Sequence, residues 1–385
     1  MAALWDFGVI AVLCIPGAMR IRCDLYWLRA LSHHPGLDRP MDIGDDPDEW
    51  CVTLILCAHN DLDALQTVWS SWRGQAFPAA WQVEWLVVND GSTDGTAEWL
   101  DRMVEGDDKL TVVHHIKQSP GKKVALAAGI VKARYDRLVL TDADCRPGRH
   151  WAHHMAASLA DTDVVLGVCL SEGGPGLLRF DALRVALQYC GEAVNGKAYM
   201  GVGRSMAYRR STWSSIGGFE RHADLASGDD DLFVQDAQRM GIQVGLCPAP
   251  GKSTRIVTLP AAGIRDGWQR KRRHLSTSDR YSPSDRVRLA LDSSLDILTV
   301  LCAVAGVFGL LHRGGWIPVV AMMLAFLVRA ITLSSFSRVW GNDGPSPLGM
   351  AFWGPIRWIF LASATLVNAF TSSPKWTQRA PTSRS

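Results

Sequence analysis

The sequence has little net charge, and its cysteines show no arrangement typical of a disulfide framework or a zinc site. Its 385 residues include 40 Lys and Arg and 38 Asp and Glu, which gives a formal net charge of +2. The basic residues are clustered locally, so they give no support for nucleic acid as a partner. The nine cysteines are scattered and show no CxxC or Cys/His metal spacing. Reduced thiols are therefore expected.

The first hydrophobic run predicts an N-terminal membrane anchor over residues 1–30. Residues 7–19 are apolar, lack the small-residue cleavage site of a secretory signal and are followed by Arg20, Arg22 and Arg29. These arginines favour a cytoplasmic position for the part of the chain that follows. The run is short for a full span, so a buried core helix is the alternative.

The C-terminal part of the chain contains further apolar runs. Residues 295–311 and 316–333 lie back to back and predict a helical hairpin in the membrane. Residues 350–370 predict a third segment, but Pro355 and Arg357 leave open whether it spans the bilayer or lies in its interface. Buried core helices are the alternative for all three runs.

Between these runs, residues 50–285 alternate strand and helix signals and predict one soluble domain. The predicted strands are at 51–56, 83–88, 110–114 and 137–140, and the predicted helices are at 62–72, from 96 onward and at 124–133. Short strands that alternate with helices favour βαβ units and a parallel sheet, whose ligands bind beyond the carboxyl ends of the strands. The remaining predicted divisions are C-terminal membrane helices over 290–372 and a flexible tail over 373–385.

The fourth predicted strand leads into two carboxylates. Asp142 and Asp144 follow the apolar residues 138–140 and are separated from each other by a single residue. Hard oxygen ligands at this spacing suit Mg²⁺ or Mn²⁺, which completes its coordination with water and substrate phosphates. The pattern is also typical of a solvated turn or a helix cap, where aspartate is common.

Two other strand-end loops carry residues suited to a nucleotide. Asp90 follows the second predicted strand and can accept hydrogen bonds from a base or a ribose. Gly121 and Lys122 open a predicted helix, and a glycine with a cation at a helix start forms a local site for phosphate. Taken singly, these features equally fit an ordinary strand–helix turn and solvated lysines.

The order of these motifs resembles the family-2 inverting glycosyltransferases of the GT-A fold. The shared motifs are AHND at 58–61, NDGSTDGT at 89–96, GK at 121–122, DAD at 142–144, GVGRSMAYRR at 201–210, GGF at 217–219, SGDDDL at 227–232 and WQRKRR at 268–273. The resemblance covers about residues 51–274. It implies an α/β protein with the nucleotide-diphospho-sugar transferase fold, a Rossmann-like mixed sheet flanked by helices, here with N- and C-terminal transmembrane helices.

The resemblance also implies a set of donor-binding residues. They are Ala58, Asn60, Asp90, Lys122, Asp142, Gln269, Arg270 and Arg272. Asp90 is expected to contact the base of the donor nucleotide, and that base is expected to be uracil. Asp144 is expected to ligate Mg²⁺ or Mn²⁺ directly. Asp142 is expected near the ribose or the metal.

The acidic run at 227–232 stands where the family places its catalytic base. Asp230 is implied as the general base for the acceptor hydroxyl, Asp229 is its competitor, and Gly203 with Ser205 belongs to the acceptor-side loop. A one-step displacement needs a carboxylate opposite the leaving diphosphate, within hydrogen-bond reach of the attacking oxygen. A calcium loop or a solvated helix start is the alternative, although the EF-hand spacing is absent.

The last motif is a variant of QxxRW, which in related synthases holds the diphosphate and closes the acceptor tunnel. A guanidinium beside a diphosphate is electrostatically favourable. Because this basic run precedes the predicted hairpin, binding of anionic headgroups is a compatible alternative. Arg273 replaces the tryptophan of the motif, which argues against processive polymerisation. Asp61, Ala127 and Asp229 also depart from the family pattern, where Glu, Asn and Glu are usual.

Together these features predict a membrane-bound hexosyl- or N-acetylhexosaminyltransferase. It is expected to move a sugar, with inversion, from a UDP-linked donor to a hydroxyl of a lipid-linked or saccharide acceptor. The expected partners are the nucleotide sugar, the acceptor and membrane lipids, without nucleic acid. The expected location is the cell membrane, with several passes and a cytoplasmic catalytic domain. The alternatives are a processive polysaccharide synthase, disfavoured by the few downstream spans, and an inactive nucleotide-binding scaffold, disfavoured by the retained acids.

Overall fold

The chain divides into two compact units. The computed structural model describes residues 2–33, 50–117, 119–248, 250–258, 260–261, 263–309, 316–341 and 347–371. Of these residues, the first unit comprises 2–33, 173–191 and those from 261 to 371, and the second comprises 50–172 and those from 192 to 260. The first unit thus takes up Gly173–Gly191, a segment in the middle of the range predicted for the soluble domain.

The helices of the described residues are, in chain order, α1 (Ala2–Ser32), α2 (Leu62–Arg73), α3 (Thr96–Val104), α4 (Lys123–Lys132), α5 (Trp151–Ala157), α6 (Gly176–Val194), α7 (Arg210–Ile216), α8 (Asp231–Arg239), α9 (Ile264–Leu275), α10 (Pro283–Gly309), α11 (Trp316–Val339) and α12 (Pro347–Phe370). Helices α2 and α3 of the second unit are amphipathic. In α2, for example, Leu65, Val68 and Trp72 recur at helical spacing and are all fully buried.

The second unit is built on a mixed β-sheet. Its strands are β1 (Cys51–Ala58), β2 (Gln82–Asp90), β3 (Leu110–His115), β4 (Arg137–Asp142), β5 (Cys145–Pro147), β6 (Val164–Leu166), β7 (Cys169–Ser171), β8 (Met206–Arg209), β9 (Val244–Leu246) and β10 (Ile256–Thr258). Within the described residues, one sheet has the order β3-β2-β1-β4-β8-β6-β9 and a smaller one the order β5-β10-β7. Strands β1 to β4 pair in parallel, as their sequence pattern predicts, whereas β8 runs antiparallel to β4.

The register of β1 brings the polar strand ends to one edge of the sheet. Each of the four predicted strands is present and continues beyond its predicted end, so that the motif residues extend the strands. Cys57 pairs with Asp142 of β4, and Ala58 pairs with Asn89 of β2. Because these strands are parallel, the loops that follow them leave the sheet at the same edge.

The first unit is helical, and three of its helices could cross a membrane. Among the described residues, the stretches long and apolar enough to span are Pro283–Gly306, Trp316–Val339 and Gly349–Phe370. They match the three predicted C-terminal runs. Helix α1 is present but does not meet the same criterion, so the N-terminal anchor stays a prediction. The turn of the predicted hairpin and the predicted tail lie outside the described residues.

Buried ion pairs connect α1 with α10 and α11. Arg329 of α11 is fully buried and donates to Asp24 of α1 at 2.9 Å and to Asp296 of α10 at 2.8 Å. Arg20 of α1 donates to Asp24 at 2.9 Å and also pairs with Asp292 of α10. Since a charged side chain in an apolar helix bundle is costly unless it is paired, these contacts hold the three helices in register.

Candidate active site

The loops after β1 and β2 are locked together by side-chain hydrogen bonds. Asn60, a non-glycine residue with φ of 55°, accepts a hydrogen bond from the Thr93 amide at 2.6 Å and donates its own amide to Ser92 Oγ at 3.0 Å. Asp94 accepts from the amides of Leu62 at 3.0 Å and of Thr96 at 3.1 Å. One carboxylate therefore serves the first turns of both α2 and α3, where backbone donors lack helical partners.

Asp90 is held by two side chains that sequence reasoning did not select. It is 3 % exposed at the end of β2, and its carboxylate contacts His115 Nδ1 at 2.9 Å and the ammonium of Lys117. His115 is opposite Asp90 in the β2–β3 register, and Lys117 also donates to the carbonyl of Gly121 at 3.1 Å. The base-binding carboxylate predicted from the sequence is thus oriented by neighbours from β3 and the loop after it.

Lys122 joins the loop after β4 to the acidic run. Its ammonium lies 2.6 Å from Asp142 Oδ1 and 3.0 Å from Asp229 Oδ2. Burial alone would lower the pKa of Lys122, but Asp142 and Asp229 outweigh burial and hold that pKa well above its ordinary value. The alternative of solvated lysines is therefore excluded for Lys122, and for Lys123, which is 6 % exposed.

Gly121 and Lys123 hold the loop that carries the acidic run against the start of α4. Lys123 donates to the carbonyls of His222 and of Ser227, the latter at 3.0 Å. Gly121 has φ of 90°, and a Cβ there would lie 2.1 Å from the carbonyl oxygen of Ala226. Because no side chain fits at this position, glycine is what allows the two loops to touch.

Asp229 and Asp230 have different surroundings. Both oxygens of Asp230 accept backbone N–H groups, from Gly203 at 2.9 Å and from Asp231 at 2.8 Å, the latter at the first turn of α8. Asp229 is 9 % exposed and contacts Lys122. Burial raises the pKa of Asp229 above its usual range; Lys122 opposes the rise, and Asp230 and Asp142 add to it.

A small open pocket lies beside this pair, with about 300 Å³ of empty space. Its lining residues are Cys57, Lys122, Leu126, Leu140, Thr141, Gly203, Met206, Tyr208 and Asp229. The hydroxyls of Thr141 and Tyr208 are buried and have no hydrogen-bond partner among the described residues. Gly203 leaves the pocket open, since a Cβ there would lie 3.1 Å from both Lys122 Nζ and Asp229 Oδ2.

The donor set suits a hard divalent cation that shares its shell with a substrate. Asp142 and Asp144 are half-buried at the end of β4, and Asp144 accepts a weak hydrogen bond from the Cys145 thiol at 3.2 Å. Among the described residues there is no cluster of three or more His, Cys, Asp or Glu that forms a complete cage. Mg²⁺ commonly binds through one or two carboxylates plus phosphates and water, so the residues present fit.

The acceptor-side loop is rigid. Ser205 is fully buried; its hydroxyl accepts from Trp151 Nε1 at 2.9 Å, and its carbonyl accepts the Gly167 amide at 2.9 Å. Gly203 reaches the pocket, whereas the Ser205 side chain is part of the core. An acceptor-binding role for Ser205 stays a prediction.

Gln269, Arg270 and Arg272 lie on α9 in the first unit, where two of them have partners. Arg270 pairs with Asp266 of the same helix at 2.8 Å, and Arg272 donates to Asn368 of α12 at 2.8 Å. Between them, Lys271 pairs with the buried Asp181 of α6 at 2.8 Å. Their predicted contact with the diphosphate stays a prediction.

Part of the chain matches a protein-family model. Residues 53–216 match the model described as glycosyl transferase family 2. The matched residues make up less than half of the chain. A poly-beta-1,6-N-acetyl-D-glucosamine synthase of Staphylococcus aureus (strain MSSA476) is 30% identical over 119 residues, or 31% of this chain and 27% of the synthase. An undecaprenyl-phosphate 4-deoxy-4-formamido-L-arabinose transferase of Pseudomonas fluorescens (strain SBW25) is 26% identical over 94 residues, or 24% of this chain and 28% of the transferase.

A solved structure shares the fold along nearly the whole chain. It is the mannosyltransferase PcManGT from Pyrobaculum calidifontis in complex with GDP-Man and Mn²⁺, with a TM-score of 0.55 and 21% sequence identity. The match covers 94% of this chain and 99% of that protein. The predicted fold class is thereby confirmed. Residues 53–216 thus resemble glycosyl transferase family 2, and the chain has a GT-A fold.

Proposed function

We propose that the protein transfers a sugar, with inversion, from a nucleoside-diphosphate sugar to a hydroxyl of a lipid-linked or saccharide acceptor. The observation that carries this proposal is the meeting of Lys122, Asp142 and Asp229 at the carboxyl edge of the sheet. Asp144 and Asp230 flank them in sequence. A strand-end cluster of acids with one cation suits the exchange of a diphosphate for a hydroxyl.

The base end of the donor is proposed to bind at Asp90, between Ala58 and Asn60. A buried carboxylate held by His115 and Lys117 keeps a fixed orientation, and fixed acceptors discriminate between bases by their N–H positions. UDP is the expected nucleotide, since the resemblance to family-2 glycosyltransferases implies uracil, while PcManGT was solved with GDP-Man.

Asp229 is proposed as the general base, in preference to Asp230. A base works best when its pKa lies near the working pH, and burial moves the pKa of Asp229 upward. Asp230 instead uses both oxygens on backbone amides. In the proposed step Asp229 takes the acceptor proton, the acceptor oxygen bonds to the anomeric carbon, and the bond from that carbon to the diphosphate oxygen breaks.

A divalent cation held by Asp142 and Asp144 would neutralise charge on the departing diphosphate. PcManGT was solved with Mn²⁺, which supports this assignment without separating Mn²⁺ from Mg²⁺. Lys122 orients Asp142 through its 2.6 Å contact and so holds one ligand of the pair in place.

The protein is proposed to work at the cell membrane, with its catalytic domain in the cytoplasm. Three helices of sufficient length and apolarity support membrane insertion, and the arginines after residues 7–19 support the orientation. Protease protection in sealed vesicles of known sidedness tests the orientation, because a cytoplasmic domain is cleaved only from the cytoplasmic side.

The test of the transferase proposal combines two variants. Asp144→Ala should abolish Mn²⁺-dependent sugar transfer and the gain in nucleotide affinity that Mn²⁺ confers. Asp229→Asn should lower turnover by about 10²–10⁴-fold while nucleotide binding persists. Asp161→Asn, an exposed acid away from the site, is the control. Sugar transfer and donor hydrolysis that survive unchanged in both site variants would contradict the proposal.

A processive synthase is the second candidate, favoured by the similarity to the poly-N-acetylglucosamine synthase. The chain matches only 27% of that relative's length, and Arg273 stands where the family motif has tryptophan. Product sizing at low conversion separates the two, since a processive enzyme yields long chains beside unused acceptor.

A further inference from the structure

Arg204 projects from a loop that is fixed on both sides of it. The preceding residue, Gly203, donates its amide to Asp230 at 2.9 Å. The following residue, Ser205, is fully buried, donates its amide to the Val202 carbonyl at 2.8 Å and contacts Trp151 through its hydroxyl. The backbone at Arg204 is therefore fixed on both sides, and Arg204 follows Gly203, which lines the pocket.

The guanidinium of Arg204 is a cation without a direct acidic partner. No carboxylate lies within ion-pair distance of it among the described residues, although it is half-buried and close enough to Asp142 and Asp230 to feel their charge. The Cys169 and Cys145 sulfurs, then these two acids, raise the pKa of Arg204 against the effect of burial. Lys122 differs, because two carboxylates already neutralise it.

The charge balance of the site calls for such a cation. Asp142, Asp229 and Asp230 outnumber Lys122, so the site is acidic before substrate enters. A diphosphate brings further negative charge, and a metal on Asp142 offsets only part of it. A planar guanidinium with several donors matches phosphate oxygens well, and an Arg that is not committed to a carboxylate is free to do so.

We propose that Arg204 binds the diphosphate of the nucleotide donor and stabilises it as the leaving group. This inference rests on the proposed function. It gives a role to a residue of the motif at 201–210 that is not among the donor-binding residues implied by the resemblance, and that follows the glycine in contact with Asp230. Because the loop touches both Asp230 and the pocket, one rigid segment then contacts the leaving group and a neighbour of the proposed base.

The test separates the diphosphate from the nucleoside. Binding of UDP, GDP, uridine and guanosine to the full-length protein in detergent is measured with Mn²⁺ for wild type and Arg204→Gln. Loss of a charge-assisted contact should weaken nucleoside diphosphate binding by about tenfold or more, while nucleoside binding stays within about twofold. Arg204→Lys should recover part of the loss, because it restores charge without the planar fork.

Arg209→Gln is the matched control. Arg209 is an arginine at the far end of β8, where it donates to the Leu159 carbonyl at 3.2 Å. Arg209→Gln should change neither the affinity for the nucleosides nor the affinity for the nucleoside diphosphates. The inference is overturned if Arg204→Gln binds the diphosphate as well as wild type does, or if it loses nucleoside and diphosphate affinity equally. If wild type binds none of the four compounds, the proposed function itself fails, which is a distinct result.

Discussion

The ammonium of Lys122 lies 3.0 Å from the carboxylate of Asp229. These residues come from the helix start after β3 and from the acidic run before α8, far apart in the chain. Their contact places the proposed base next to the proposed metal ligand Asp142, which Lys122 also touches. The ionisation of Asp229 therefore depends on a cation that other parts of the donor site position.

Removing Lys122 should move the acidic limb of the pH profile. In wild type, Lys122 opposes the rise in the pKa of Asp229 that burial causes. Lys122→Met leaves Asp142 and Asp229 without a shared cation, so the pKa of Asp229 should rise further. Since the base acts deprotonated, kcat/KM falls as the pH drops through its pKa, and the fall should begin at higher pH in the variant.

The measurement is kcat/KM against pH at saturating Mn²⁺. Lys132→Met, an exposed lysine at the other end of α4, should leave the acidic limb in place. An unchanged limb in Lys122→Met, with a lower plateau alone, would show that Lys122 does not tune the base.

Gly121 should be intolerant of a side chain. Its φ of 90° opposes alanine, and so does the Ala226 carbonyl oxygen, which would lie 2.1 Å from an added Cβ. Gly106 has φ of 80° and nothing within 4 Å of a Cβ, so it isolates the conformational cost. Gly106→Ala should cost about 1–2 kcal/mol of unfolding free energy, and Gly121→Ala clearly more. If the two variants lose equal unfolding free energy in denaturant titrations, the loops that carry Gly121 and Ala226 separate without a cost in stability.

The acid Asp181 should hold α6, α9 and α12 together in the first unit. Its carboxylate contacts Lys271 at 2.8 Å and Arg357 at 2.7 Å. Burial would raise the pKa of Asp181, but the two cations outweigh burial and hold the pKa below its ordinary value. Asp181→Asn removes the acid that pairs with Lys271 and leaves Arg357 only its longer contact to Asp296 at 3.7 Å, so it should destabilise the unit by roughly 3 kcal/mol.

The loss of stability in Asp181→Asn should depend on pH. A carboxyl whose pKa is lowered by folding stabilises the fold above its unfolded pKa of about 3.9, and loses that contribution as pH falls through its folded pKa. The gap in thermal midpoint between wild type and Asp181→Asn in detergent should therefore be full above about pH 4 and narrow below it. The exposed Asp161→Asn should show no gap at any pH. A gap that grows on acidification would contradict a stabilising role for this ion pair.

His115 should matter more for nucleoside binding than its neighbour His114. His115 contacts the Asp90 carboxylate at 2.9 Å, whereas His114 contacts the exposed Asp101 at 2.9 Å and the side chain of Asn89 at 3.1 Å. Without His115, Asp90 loses one of its two orienting partners, so His115→Ala should weaken nucleoside affinity by about tenfold. Calorimetric titration with uridine and guanosine measures the effect. Equal affinities in His115→Ala and His114→Ala would show that His115 does not orient Asp90 for the base.

The local sequence pattern was sufficient to predict the first four strands of the sheet. Apolar runs of strand length predicted β1 to β4, and the polar residues at their ends predicted where ligands bind. The antiparallel direction of β8 was not predicted by the alternation of strands and helices, because a short strand has no directional signature. The family resemblance supplied the mixed sheet instead.

Contacts between distant segments could not be predicted from the local sequence pattern. Lys123 looked like a solvated lysine beside Lys122, yet it is buried and donates to the His222 and Ser227 carbonyls. His115 and Lys117 carried no motif, and they act through Asp90 only because β3 pairs with β2. The inclusion of Gly173–Gly191 in the helical unit likewise follows from packing that no local period records.

The sequence by itself determined the resemblance to family-2 glycosyltransferases, the strand ends that carry Asp90 and Asp142, and the apolar helices of the C-terminal part. Hydrophobic period and motif order are local properties, so they can be read along the chain. Only the tertiary structure decided which carboxylate is buried beside Lys122 and which accepts backbone amides. Asp229 and Asp230 are identical in sequence terms, and their burial and backbone partners separate them, because solvation and charge depend on what the folded chain brings within a few ångströms.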